Sequence, residues 1–160
     1  MGAHENLGVF SDAQAVIAPA YSSNFIDLGI TTPQIGVGQN APYLCIRTAV
    51  APTEVADTLS IEVRCSATNS GTTLNGTIKY IFMPLAGAAG AEVLASDAKL
   101  ATAGAWIYRG QLPYEVDLRY IQLYFNNTVT NGTFTIDAWL SDGPASDFGK
   151  QVLSSPVGNP

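Results

Sequence analysis

Charge is what this sequence has least of. Charged residues make up 12% of the 160 positions, about half the ~25% usual in soluble domains. Seven Lys and Arg are outnumbered by thirteen Asp and Glu, a formal net charge of -6. A free nucleic-acid binder displaces phosphate counterions with clustered Lys and Arg, so no DNA or RNA partner is expected. There is one histidine, His4, in a stretch without periodicity. Neither a Ser-His-Asp nor a Cys-His arrangement can be assembled around a fixed base, and no enzyme activity is expected. Two cysteines and one remote histidine fall short of the ligands of a zinc site. Cys45 and Cys65 read as reduced thiols packed as small hydrophobes. No apolar run approaches the ~20 residues that cross a bilayer, so no membrane partner is expected. Met1 to Asn6 shows no basic segment leading into an apolar one, and Asn6 breaks the myristoylation pattern; synthesis in a cytoplasm is the expectation.

Helical periodicity is nearly missing too. Only residues 91–100 (Glu92, Leu94, Ala95, Ala98, Lys99) have helical character, and a single turn is expected there. What fills the space is small neutral polar groups: fourteen Thr, eleven Ser and nine Asn, 34 against 20 charged residues. Such a surface relies little on charge for solubility and suits a protein whose exterior is largely covered by partners. With 47% hydrophobic residues there is material for one proper core.

Period-two alternation dominates. Over residues 58–67, Leu59, Ile61, Val63 and Cys65 point one way and Ser60, Glu62, Arg64 and Ser66 the other, a strand with one wet face. Residues 119–125 repeat the pattern with Ile121, Leu123 and Phe125 in phase. Residues 133–141 do so with Phe134, Ile136, Ala138 and Leu140, leaving Trp139 opposite with Thr135 and Asp137. Further strands are expected at 43–50, 77–83 and 105–109, and a shorter one at 25–30. Asn75-Gly76 and Asn131-Gly132 fit tight type I′ turns, and Pro42, Pro52, Pro84 and Pro113 fall at strand edges or connections. Seven or eight short strands with turn signals between them predict an all-β fold, a jelly roll or β-sandwich.

The two ends read differently. Residues 1–24 and 142–160 lack periodicity and read as extended N- and C-terminal arms flanking a sandwich over 25–141. On this reading, deleting residues 1–20 leaves the sandwich folded.

The remaining chemistry is thin. Asp137, Asp142 and Asp147 lack the dense spacing of a calcium loop; Glu115 and Asp117 read as edge charges. Gly36-Val37-Gly38 has no lysine and no following helix, so turn glycines explain it. The sequons at Asn75, Asn126 and Asn131 include two of the turns. Neither metal nor cofactor is expected. Tyr80, Trp106, Tyr108, Tyr114, Tyr120, Tyr124 and Trp139 cluster in the strand region. Those on the face opposite the aliphatic stripe (Trp139, Tyr120, Tyr124) are candidates for core, for a protein interface or, less readily, for sugar stacking.

The opening segment carries a resemblance. Ser11-Asp12-Ala13-Gln14-Ala15-Val16, then Tyr21-Ser22-Ser23-Asn24, Ile26-Asp27-Leu28-Gly29 and Ile35-Gly36-Val37-Gly38 resemble the start of the tailed-phage capsid cement (decoration) proteins of the Bordetella-phage type. The similarity continues more loosely through residues 43–50, 58–67, Leu112-Pro113, Arg119 to Leu123 and 133–140. The chain departs from that pattern in a longer middle segment (69–90) and an extended tail after Asp142. The resemblance implies a jelly-roll decoration protein on the outer surface of an icosahedral head, in the virion and made in the host cytoplasm. It would act as a dimer or other small oligomer, a trimer included, over joints between major capsid protein subunits, without reaction or cofactor. The interface candidates are Asp12, Gln14, Val16, Tyr21 and Phe148 from the arms, with Trp139, Tyr120 and Tyr124 from the strands. The alternative is a carbohydrate-binding jelly roll, lectin-like or adhesive, presenting an aromatic platform around Trp139 or Trp106.

Overall fold

The computed structural model describes residues 8–29, 42–51, 58–69, 71, 73–82, 93–94, 102–113, 115–128 and 133–141. Among these residues there are ten strands: β1 (Val9–Val16), β2 (Ala20–Tyr21), β3 (Ile26–Asp27), β4 (Tyr43–Val50), β5 (Thr58–Ser66), β6 (Thr77–Phe82), β7 (Val93–Leu94), β8 (Trp106–Gln111), β9 (Tyr120–Thr128) and β10 (Phe134–Ser141). They form two antiparallel sheets. One runs β1-β10-β4-β8; the other runs β2-β9-β5-β6, with β3 also on β9 and β7 also on β5. Apart from the β5-β6 pair, neighbouring long strands in a sheet are distant in sequence, and from β6 onward the long strands β6, β8, β9 and β10 alternate between sheets. That is the jelly roll expected from the alternation.

Strand formation follows the side-chain pattern. On β5, Leu59, Ile61, Val63 and Cys65 enter the core; on β9 the core takes Ile121, Leu123 and Phe125, and on β10 Phe134, Ile136 and Ala138. Leu44 and Ile46 of β4, Ile107 of β8 and Phe82 of β6 complete the layer between the sheets. The β5–β9 ladder is unbroken from Thr58↔Thr128 to Ser66↔Tyr120, so a single register presents all three apolar core residues of β9 to the same side.

The N-terminal segment departs from the expectation of an arm. Residues 9–16 are β1, paired with β10 from Val9↔Trp139 to Val16↔Phe134, and Phe10 and Val16 are fully buried in the core. β2 pairs with β9, and Asn24 N–H donates to Phe10 O at 2.9 Å. The sandwich therefore starts before residue 25, by Val9. Two register shifts hide β1: the pairing slips between Val9 and Ser11 and again between Ser11 and Gln14. Ala13 in the second slip has φ 46°. A bulge inserts an extra residue and resets which side each residue faces, so the period-two signal is lost. Residues 1–7 and the expected tail 142–160 lie outside the described residues.

Two smaller expectations also change. Where one helical turn was expected, Val93–Leu94 pairs with Leu59 and Thr58 of β5. Asn75-Gly76 does not make the expected type I′ turn, since Gly76 is not among the positive-φ residues. Glycine is needed there for a different reason. A Cβ at Gly76 would overlap the backbone of Cys65, whose cross-strand partner is Thr77. Asn131-Gly132 lies outside the described residues.

Candidate functional site: the two outer sheet faces

On the outer face of the β2-β9-β5-β6 sheet, side chains of β2, β5 and β9 engage one another, while Ile78 of β6, opposite Arg64, is exposed. Arg64 of β5 donates from Nε to Glu62 at 2.8 Å and from Nη1 to the Tyr21 hydroxyl at 2.8 Å. Its guanidinium lies 4.0 Å from the Tyr124 ring centre. Tyr21 and Tyr124 meet edge to face at 4.9 Å. Burial opposes the charge on Arg64, but Glu62 and Tyr21 outweigh it and hold the group above the ordinary arginine value. The arrangement fastens β2, only two residues long, onto β9 and β5. Beside it Gln122 is fully buried. Its Oε1 accepts from Leu74 N–H at 2.8 Å and its Nε2 donates to Ser22 O at 2.9 Å, so the segment before β6 is tied down over this sheet.

The outer face of the β1-β10-β4-β8 sheet carries a second set. Asp137 of β10 accepts from Arg47 Nε at 3.1 Å and from the N–H of Ala13 at 2.6 Å; this last bond holds the bulge of β1 in its left-handed conformation. Trp139 and Cys45 form a buried cluster separate from the core, with Val9, Tyr43 and Trp106 packed against it. Trp106 and Trp139 lie 5.6 Å apart. Arg47 sits 5.5 Å over Trp139 and Arg109 sits 5.3 Å over Trp106. Trp106 and Arg109 are three residues apart, out of phase for a regular strand. A register shift between the Ile46 and Arg47 pairs brings both to this face.

The candidates from the sequence divide between these settings. Tyr21 and Tyr124 are brought together, half-buried, around Arg64. Gln14 is near them, its side chain spent on Tyr21 O, Ser23 N–H and the Ser23 hydroxyl. Tyr120 is half-buried, edge to face with Phe25 at 5.8 Å and 5.0 Å below Arg119. Asp12 is exposed in the β1 bulge. Val16 is fully buried between the sheets, so it is a core residue and no subunit contact. Trp139 is 0% exposed and lies on the opposite sheet from Tyr120 and Tyr124. Phe148 lies outside the described residues. The sequence reading missed Arg47, Arg64 and Arg109. Arg47 and Arg64 alternate in phase with the wet faces of β4 and β5, which is a usable signal; Arg109 is masked by the shift.

Neither cysteine is in a disulfide, and both are buried. Burial pushes the Cys65 thiol up to about 12, the mark of an inert core group. Among the described residues, no three or more His, Cys, Asp or Glu are grouped to hold a metal ion.

The fold places the chain in the class of jelly-roll domains, an architecture shared by viral capsid and lectin proteins. Within that class it belongs to the Bbp16 family, whose model matches residues 10–139, nearly the whole sandwich including β1. Bbp16 is a family of Bordetella phage proteins, and membership makes the chain a bacteriophage structural protein associated with the virion. No curated protein matches it.

Proposed function

We propose that this chain is a decoration protein that binds the outer surface of an icosahedral phage head and strengthens contacts between major capsid protein subunits. The observation that carries the proposal is the family match across residues 10–139, joined to a jelly roll. Composition supports an outer position. A net charge of -6 is repelled by packaged DNA and tolerated outside the shell. A surface rich in Ser, Thr and Asn suits a part covered by neighbours. The mechanism is linkage: a protein that binds the assembled lattice and not the separated subunits stabilises the lattice by mass action. Self-association, as a dimer or a trimer, multiplies weak individual contacts through effective concentration. The role needs neither catalysis nor cofactor, and involves neither nucleic acid nor membrane.

The test is the copy number of this chain in purified particles, set against the major shell protein. A simple fraction of one-to-one is expected; a handful of copies, or none, overturns a shell-wide role. The lectin alternative needs an open aromatic platform. Trp139 is buried and Trp106 is half-buried beneath Arg109, so no observation favours it.

A further inference from the structure

Of the five Lys and Arg side chains among the described residues, four are in ion pairs: Arg47 with Asp137, Arg64 with Glu62, Lys79 with Asp117 and Arg119 with Asp27. The fifth, Arg109, has no acidic partner among the described residues, in a chain where acids outnumber bases thirteen to seven. It is exposed on β8 and lies over the half-buried Trp106 at 5.3 Å. We infer that Arg109, held on Trp106, receives an acidic side chain of the shell subunit, so that the outer face of the β1-β10-β4-β8 sheet is the side turned to the head. This rests on the decoration reading and names the contact through which it operates.

The chemistry fits one kind of occupant. A guanidinium stacked on an indole keeps the edge of its planar fork free to meet a carboxylate with two parallel hydrogen bonds, and stacking reduces the rotamer freedom lost on binding. Asp137 is already engaged by Arg47 and by the N–H of Ala13, which leaves the carboxylate to come from outside. On an acidic protein, this cation, the one without an ion pair among the described residues, is a point where a negative group meets little repulsion. Nearby, Trp139 Nε1 is buried without a hydrogen-bond partner. It is one of five such buried side-chain atoms among the described residues, Ser60 Oγ on the other sheet among them, so the case for this face rests on Arg109. On the other sheet's outer face the stacked arginine, Arg64, is already spent on Glu62 and Tyr21, and Ile78 beside it is exposed but apolar.

The test uses heads assembled without this chain, titrated with the purified full-length protein and read by co-sedimentation. Arg109→Gln and Lys79→Gln change net charge equally; Arg109 is exposed, and Lys79 is half-buried in its pair with Asp117. Melting curves matching that of the unaltered chain establish that each variant is folded. Arg109→Gln is expected to raise the half-saturating concentration about tenfold or more, with a weaker dependence on salt, while Lys79→Gln stays within about twofold. Arg109→Lys, which keeps the charge and loses the flat fork, is expected between them. If Arg109→Gln binds like the unaltered chain, the inference falls and the decoration reading stands. If Lys79→Gln weakens binding as much, the effect is one of overall charge and the inference falls. If the unaltered chain does not bind heads at all, the decoration reading falls and takes this contact with it.

Discussion

Phe10 decides whether the N-terminal segment is part of the fold. It belongs to a stretch that reads as an arm, yet in the structure it is 0% exposed among the side chains between the two sheets. Replacing a buried Phe by Ala removes its transfer free energy and leaves a cavity, at a cost of about 3–5 kcal/mol. For a domain of this size each 1 kcal/mol moves the melting temperature by roughly 2–4 °C. Phe10→Ala should therefore melt roughly 6–20 °C below the unaltered chain. Deleting residues 1–16 removes Phe10 and Val16 together, strips one side of β10 of its backbone partners and takes the Ala13 N–H from Asp137. The summed loss rivals the ~5–15 kcal/mol total stability of a typical domain. The truncated chain should be unfolded, or expanded without fixed tertiary packing, rather than the intact sandwich that an arm would leave behind. Circular dichroism melts, with near-ultraviolet signal as the report on packing, make the comparison. A Phe10→Ala chain that melts within about 3 °C of the original, or a truncation that keeps its near-ultraviolet spectrum, refutes the placement of β1.

Three further outcomes follow from the same geometry. Ala13 holds φ 46°, which costs a residue with a side chain about 1–2 kcal/mol, so Ala13→Gly should raise the unfolding free energy by a net ~0.5–1 kcal/mol after glycine's larger unfolded-chain entropy, seen as a higher urea midpoint; a lower midpoint contradicts it. The Arg119 side chain, with help from the N–H of Gly29, holds the Asp27 carboxyl below its ordinary 3.8. A depressed folded value contributes stability above the unfolded value that is lost as pH falls through the folded one, so Asp27→Asn should flatten the acid limb of a stability–pH curve below about pH 4 and leave its neutral region unchanged in slope. Cys65 has the opposite sign: its folded value rises from 9.0 to about 12, so stability is intact below pH 9 and declines as pH climbs towards 12. Cys65→Ala should remove that part of the alkaline slope while lowering stability at neutral pH, which urea titrations at several pH values would separate.

The strands that were legible in the sequence are those with an unbroken period. β4, β5, β9 and β10 alternate cleanly, and each lies within a residue or two of its expected place, apart from a longer end to β9. β6 and β8 also lie within two residues of their expected places, and β3 falls inside the short strand expected at 25–30; bulges hid β1. Phe10 and Val16 both face the core, but the slips around Ser11 and Ala13 leave no regular spacing between them, and an alanine gives no hint of a left-handed backbone. The same effect on β8 concealed that Trp106 and Arg109 share a face. Burial on the outer faces was not legible either. Trp139 alternates to the outside as expected, yet it is covered there because Tyr43, Val9 and Trp106, from three other strands, converge on it. Alternation tells which side of a sheet a residue occupies; whether that side is wet depends on neighbours far away in sequence.

The two outer faces make different use of similar parts. Each has an arginine stacked on aromatic rings, and each has a carboxylate beside it on the strand ladder. On the β5–β9 side the arginine, the carboxylate and the tyrosine hydroxyl satisfy one another, and the segment before β6 is bonded over Gln122. Removing Arg64 there leaves Glu62, only 5% exposed, without its charged partner, and an uncompensated buried charge is strongly destabilising. That face is committed to holding a two-residue strand in place. On the β4–β8 side the carboxylate satisfies one arginine and the bulge of β1, while the second arginine stays exposed above its indole. Losing Arg109 leaves no buried charge behind, so its effect on stability is small. Because its removal barely affects folding, the outside contact proposed for Arg109 can be probed by substitution without disturbing the sandwich that presents it.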